Sequence, residues 1–347
     1  MKKFLLKIFF FLLPFFGLCG YYLIFQHPKF QKLADNGNYN LSSLGFILFE
    51  EEYANRIIAN YEEENQVKVF DYEKYDSHHN VRAIITIGDS FSKPRNGRYS
   101  NYLAHIVSER IEYLHVNENN PFNSLLRFLS SEQDLPDVII VESVERHLVD
   151  RLLELDFSKD WHWHIEKNEK ESENNQNNIY RLVKRTTDYY KILFTKEENR
   201  PVRHLNLNRE LFSCKGKERD FYFYEQEITI TNTKEEIEMA AQNLDSLFAL
   251  AEKKKITLIV LVAADAYDVY QSYVVSNPYP AKSVLDELSS KIHNPCYIDT
   301  KQLFMPYLAR GVKDIYWATD THWSPVGAKI VAGELKRKLD SLGVLQR

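Results

Sequence analysis

The chain has 347 residues, 44% of them hydrophobic and 27% charged, enough apolar material for one large core or two modest ones. A formal net charge of -5 leaves no basic footprint for nucleic acid. Abundant aromatics (22 Tyr, 21 Phe) beside only 11 Gly and 11 Pro exclude a disordered chain and a low-complexity repeat.

The first predicted element is a membrane anchor. Lys2, Lys3 and Lys7 precede an uncharged run over 8–25, about 18 residues and near the length that crosses a bilayer. Positive charge before the span places the N-terminus in the cytoplasm and the remainder outside. Pro14 and Gly17 are tolerable in such a helix. No small-x-small cleavage site follows the run, and Leu18 stands before Cys19 where a lipoprotein signal needs a small residue, so we read an uncleaved anchor over 1–26. Cys214 and Cys296 would then face an oxidising compartment, although two cysteines so far apart do not establish a disulfide.

Residues 27–80 form a polar, aromatic lead-in whose Glu50-Glu51-Glu52 and Glu62-Glu63-Glu64 clusters read as solvated helix faces. Globular patterning starts at Val81. Ala83-Ile84-Ile85-Thr86-Ile87, closed by Gly88, is a buried-strand signature. Leu103, Ile106, Val107, Ile111 and Leu114 keep helical spacing, and a further helix follows Pro121 with Phe122, Leu125, Leu126 and Leu129 inward. Asp137-Val138-Ile139-Ile140-Val141 is the next strand, ending in Glu142-Ser143-Val144-Glu145-Arg146. The pattern loosens over about 155–233, where the polar stretch 166–178 reads as an insertion and Phe221-Tyr222-Phe223-Tyr224 as a hairpin arm. Regularity returns with a helix over 234–254, the strongest strand at 256–262, a helix over 281–292, a strand at Tyr297-Ile298-Asp299, and a last helix from Ser324.

Strands alternating with amphipathic helices predict an α/β fold with a mostly parallel sheet covered on both faces. Sites in such folds form at the C-terminal ends of strands, where sheet order reverses. Ser90, in Gly88-Asp89-Ser90-Phe91-Ser92, lies just past the first strand. A serine hydroxyl becomes a nucleophile when an imidazole takes its proton and a carboxylate fixes the imidazole. His322 and Asp320, in Asp320-Thr321-His322-Trp323-Ser324-Pro325, supply those two groups. The bland alternative is an ordinary Gly-Asp-Ser turn and a Ser-Pro helix start, with Asp320 a turn residue.

These segments resemble a family. Ile87-Gly88-Asp89-Ser90 and Asp320-Thr321-His322 are similar to SGNH (GDSL-like) hydrolases, and the closer resemblance is to the SGNH-like domains of the alginate O-acetyltransferase AlgJ/AlgX family. It is carried by Gly88 to Ser92, Asn120-Pro121-Phe122 with Leu126-Arg127-Phe128-Leu129, Val141 to Arg146, and above all Tyr316-Trp317-Ala318-Thr319-Asp320-Thr321-His322-Trp323-Ser324-Pro325-Val326-Gly327-Ala328. It spans roughly 81–339. The chain departs from that family in four ways: the serine segment precedes the Asp-x-His segment, the loop before Pro121 lacks glycine, Ala264-Asp265-Ala266-Tyr267 lacks the proline and lysine often seen after that strand, and no carbohydrate-binding module follows. A surface glycan other than alginate is the implied substrate.

The resemblance implies a three-layer SGNH-hydrolase-like domain over 81–347, with the insertion at about 155–233. It makes Ser90 the acyl-accepting nucleophile, His322 the base and Asp320 its orienting partner. The Ser90 N–H, helped by the loop 117–120, would stabilise the oxyanion. Asn101 and Arg146 align with polar positions near the family's site and join Asn120, from that loop, as oxyanion or substrate contacts; Arg146 has a second reading as a structural partner of Glu142 or Glu145. No metal or cofactor is implied: His162 and His164 between Trp161 and Trp163, and His78-His79, have no matching ligand set. The implied protein is a single-pass protein of the cytoplasmic membrane with its catalytic domain in the periplasm. It would O-acylate, most simply O-acetylate, a polysaccharide, receiving the acyl group from a multi-spanning membrane-bound O-acyltransferase. An esterase using the same triad, and a degenerate glycan-binding or assembly subunit, are the alternatives.

Overall fold

The structure, a computed structural model, describes residues 2–21, 70–71, 83–93, 97–107, 110–114, 120–130, 135–158, 202–214, 216–229, 231–318 and 320–344. The chain divides into two compact units, Met1–Leu41 with Glu166–Arg200, and Ser42–Ile165 with Pro201–Arg347. In the first unit the described element is the helix α1 (Lys2–Tyr21), which exposes Phe9, Phe11, Leu13, Phe15 and Phe16. Among the described residues no helix is long and apolar enough to cross a membrane. The expected span 8–25 overlaps α1 as far as Tyr21, and residues 22–25 lie outside the described ones. Apart from Phe70 and Asp71, the lead-in 27–80 also lies outside them, as do His78, His79, His162, His164 and the polar stretch 166–178.

The second unit is an α/β domain. Its sheet contains β1 (Phe70–Asp71), β2 (Ala83–Ile87), β3 (Arg110–Leu114), β4 (Val138–Val144), β7 (Thr257–Ala263) and β8 (Tyr297–Asp299), and every pairing among these strands is parallel. Spatial order is β1-β3-β2-β4-β7-β8. From β2 the chain steps first to one side, to β3, and then to the other, to β4. The order therefore reverses beside β2, and a crevice opens there at the strands' C-terminal ends. A hairpin of β5 (Val202–Asn206) and β6 (Asp220–Tyr224) pairs separately and antiparallel.

The central strands are apolar because both faces are covered. Leu258 to Ala263 are each no more than 3% exposed, and burying a Leu, Ile or Val side chain contributes about 1.5–3 kcal/mol. Two groups of helices flank the sheet. One comprises α2 (Tyr99–Val107), α9 (Thr300–Ala309) and α10 (Pro325–Ser341). The other comprises α3 (Pro121–Leu129), α4 (Glu145–Leu153), α6 (Lys234–Lys253) and α8 (Val284–Lys291). Their starts are set chemically. Thr233 and Glu236 close a reciprocal capping box on α6, Asp299 caps α9, and Ser324 caps α10 ahead of Pro325. The short α5 (Gln226–Thr229) and α7 (Ala266–Tyr270) follow β6 and β7.

One expectation needs correction. Ile111 and Leu114 lie on β3 rather than on a helix continuing from Val107. Over so few residues an apolar spacing of three fits a buried strand as well as a helix, and the parallel pairing of β3 to β2 decides it. The strand expected to end within Glu142 to Arg146 ends at Val144, carrying Glu142 and Ser143 into the interior, and Glu145-Arg146 open α4. Cys214 and Cys296 are both free thiols.

Candidate active site

Ser90 stands in the turn after β2. Ser92 and Lys93 N–H both donate to the Asp89 carbonyl, at 3.0 and 3.2 Å, so the chain doubles back at once and leaves Ser90 at the crevice. Gly88 is required there. A Cβ on it would lie 2.5 Å from Ser92 Oγ, 2.6 Å from Glu142 Oε2 and 2.8 Å from Glu142 Cβ. Among the described residues no acceptor takes the Ser90 N–H, so it remains available to a developing oxyanion.

His322 arrives from the far end of the chain on a small hairpin. Tyr316 and Trp323 pair across it, Trp317 N–H donates to the His322 carbonyl, and Ser324 N–H donates to the Ile315 carbonyl. A Cβ on Gly327 would sit 2.3 Å from that Ile315 oxygen, so glycine lets the first turn of α10 close onto the hairpin. Trp323 Nε1–H donates to the Tyr316 hydroxyl (2.9 Å), which donates to the Ala264 carbonyl just past β7 (2.6 Å). Phe91 packs against both the His322 ring and Trp323, at 4.7 and 4.6 Å between centroids. The hairpin is thus tied to the sheet on one side and to the serine turn on the other.

The structure brings Ser90, His322 and Asp320 into one hydrogen-bonded chain. Ser90 Oγ lies 2.5 Å from His322 Nε2, and His322 Nδ1 lies 2.6 Å from Asp320 Oδ1. Asp320 Oδ1 also accepts the His322 backbone N–H at 3.0 Å. A carboxylate at Nδ1 assigns the ring proton to that nitrogen and leaves Nε2 as an acceptor for the serine proton. Burial lowers the imidazole pKa from its ordinary 6.5, Asp320 opposes that shift, and the nearby Arg98 and Arg146 charges add to it. The ring is therefore neutral, and competent as a base, at neutral pH.

The remaining expected residues fall differently. Asn120 caps α3: its Oδ1 accepts from Phe122 and Asn123 N–H, while Nδ2 donates to the Arg151 carbonyl and to Glu154 Oε2, both at 3.0 Å. Both amide hydrogens are engaged, so the oxyanion role expected of Asn120 is corrected to a structural one. The other residues of the loop, 117–119, lie outside the described ones. Asn101 is enclosed on α2, only 3% exposed, and presents little surface to a substrate. Arg146 pairs with Asp265 at 2.5 Å, not with Glu142 or Glu145. Glu145 instead meets Lys282 at 2.9 Å, and Lys282 reaches Asp265 at 2.6 Å. Among the described residues no group of three or more potential metal ligands occurs.

Sequence reasoning missed the groups behind the turn. Arg151 grips both oxygens of the Asp89 carboxylate (2.6 and 2.9 Å), and Val144 N–H donates to the same carboxylate. Glu142 Oε2 accepts from Asp89 N–H and from Ser92 Oγ. The available signal was Glu142 itself, a carboxylate in an otherwise buried apolar strand, which demands donors nearby. No protein-family model matches the chain, and no curated protein matches it.

Proposed function

We propose that this chain is a serine O-acyltransferase of SGNH type, acting on a glycan hydroxyl through an acyl-Ser90 intermediate. The observation that supports it most is the unbroken chain from Ser90 Oγ through His322 to Asp320 at the point where sheet order reverses. In this reading His322 Nε2 takes the Ser90 proton as Oγ attacks the donor's acyl carbonyl, and the oxyanion forms against the Ser90 N–H. Collapse breaks the bond to the donor's leaving group, which departs with the proton held by His322. The acceptor hydroxyl then gives its proton to His322 and attacks the acyl carbon, and Ser90 leaves reprotonated. Asp320 stabilises the imidazolium in both halves.

The same reading makes α1 and the residues after it a single-pass anchor in the cytoplasmic membrane, with the SGNH-like three-layer domain in the periplasm. Its support is the triple-lysine, apolar pattern of 2–25. A multi-spanning membrane-bound O-acyltransferase is the proposed acyl donor and an exported or surface polysaccharide the acceptor. Hydrolysis by an esterase shares the first half-reaction, so partitioning of the acyl-enzyme separates the two. Detergent-purified protein is given an activated acetyl ester with and without oligosaccharide. Acetylated sugar forming in preference to acetate supports transfer; acetate as sole product assigns an esterase.

A further inference from the structure

Glu142 is fully buried, yet it lies directly behind the candidate nucleophile. One of its oxygens, Oε2, serves both flanks of Ser90, accepting the N–H of Asp89 at 2.8 Å and the hydroxyl of Ser92 at 3.0 Å. Because Ser92 donates its proton there, the hydroxyl of Tyr99 in turn donates to Ser92 Oγ at 2.9 Å. The other oxygen, Oε1, has no hydrogen-bond partner among the described residues. Gly88 makes the approach possible, since any side chain there would overlap Glu142 Oε2 and Cβ.

We propose that Glu142 is a positioning residue that clamps the turn on both sides of Ser90 and does so as the neutral carboxylic acid. This rests on the acyl-transfer reading and extends it to a residue that the reaction itself does not touch. A carboxylate with one bare oxygen, buried next to the Asp89 carboxylate, would be an uncompensated charge. The guanidinium near it, Arg151, is already bound in bidentate fashion to Asp89, and the neutral Tyr99 hydroxyl reaches it only through Ser92. Burial first, and then the Asp89 charge, push the Glu142 pKa up to about 8. Below that pH the acid clamps the turn; above it, burial of the charge beside Asp89 outweighs the strengthened bonds from Asp89 N–H and Ser92, the clamp opens, and Ser90 moves off the line to His322.

The test is the rate at which a fluorophosphonate labels Ser90 in the full-length, detergent-purified protein, followed by peptide mass spectrometry from pH 6 to about 9.5. Wild-type labelling falls as pH rises through about 8. Glu142→Gln mimics the neutral acid, keeps a carbonyl oxygen for both donors, and labels at close to the wild-type rate at neutral pH without the alkaline fall. Glu142→Leu removes the acceptor and labels about 10²-fold more slowly, the cost of a misplaced reacting group. Ser92→Ala removes one arm and loses less. The proposal is overturned if the alkaline fall persists unchanged in Glu142→Gln, a result that does not depend on whether Glu142→Leu folds. It is equally overturned if a folded Glu142→Leu labels at the wild-type rate. Absence of labelling at Ser90 in the wild type, with Ser90→Ala behaving identically, instead removes the acyl-transfer reading beneath it.

Discussion

Replacing Asp320 by Asn isolates charge from geometry in an unusual way. A single oxygen, Oδ1, accepts both His322 Nδ1–H (2.6 Å) and the His322 backbone N–H (3.0 Å). An asparagine must keep its carbonyl oxygen toward those two donors, since its NH2 facing the backbone N–H would leave two donors opposed. The amide therefore preserves the tautomer and the ring orientation, and what is lost is the negative charge facing the imidazolium. A hydrogen bond to a charged group is worth about 1.5–3 kcal/mol, which corresponds to about 10- to 150-fold in rate. Asp320→Ala, which removes the acceptor too, should cost about 10⁴-fold. The pH profile supplies a second readout. Asp320 raises the His322 pKa against burial, so without its charge the acid limb of kcat/KM moves to lower pH. The assay is release of nitrophenolate from p-nitrophenyl acetate across pH 4 to 8. An Asn variant as damaged as the Ala variant, or an acid limb displaced upward, would refute the reasoning.

Gly327→Ala forces a methyl to within 2.3 Å of the Ile315 carbonyl oxygen and should cost about 1–3 kcal/mol of stability in a thermal melt, with activity falling as the His322 hairpin shifts. Arg151→Met strips the Asp89 carboxylate of its two guanidinium bonds, and breaking so enclosed a pair should cost about 3–5 kcal/mol; unfolding by urea measures it. Glu227 is fully buried and accepts the N–H groups of Tyr224 and Tyr267, and burial with Asp265 raises its pKa to about 7. Its folded pKa lies above the unfolded value, so its contribution is fully present below about 4.5 and is lost as pH rises through about 7. Glu227→Gln should flatten that part of the melting-temperature profile.

The sheet was legible where strands are apolar on both faces: Ala83–Ile87, the segment from Val138 and that from Thr257 stand out as hydrophobic runs because helices cover both sides. Short strands were less legible. Arg110–Leu114 carries Arg110 and Glu112, which pair with each other at 2.6 Å, so a charged strand was read as the tail of a helix. That Ser90, His322 and Asp320 come together was legible because their residue types and the strand ends they follow suit one site. Their support was not. Nothing local in the sequence says that Arg151, on the outgoing helix, folds back to Asp89, or that Asp265 rather than Glu142 or Glu145 takes Arg146. Those choices are made by the register of β4 against β2 and β7, a tertiary property. Asn120 shows the converse error: a polar residue next to a family-like motif was given an oxyanion role, when a helix start with Pro121 needs a cap.

The central claim is that Ser90 carries the acyl group. Protein mixed with an activated acetyl ester, quenched in acid within the first turnover and digested, is read by peptide mass spectrometry. The account predicts the mass of one acetyl group on Ser90, absent from His322→Ala. An acetyl group on another residue, or no acyl-enzyme in a preparation that turns the ester over, would contradict it.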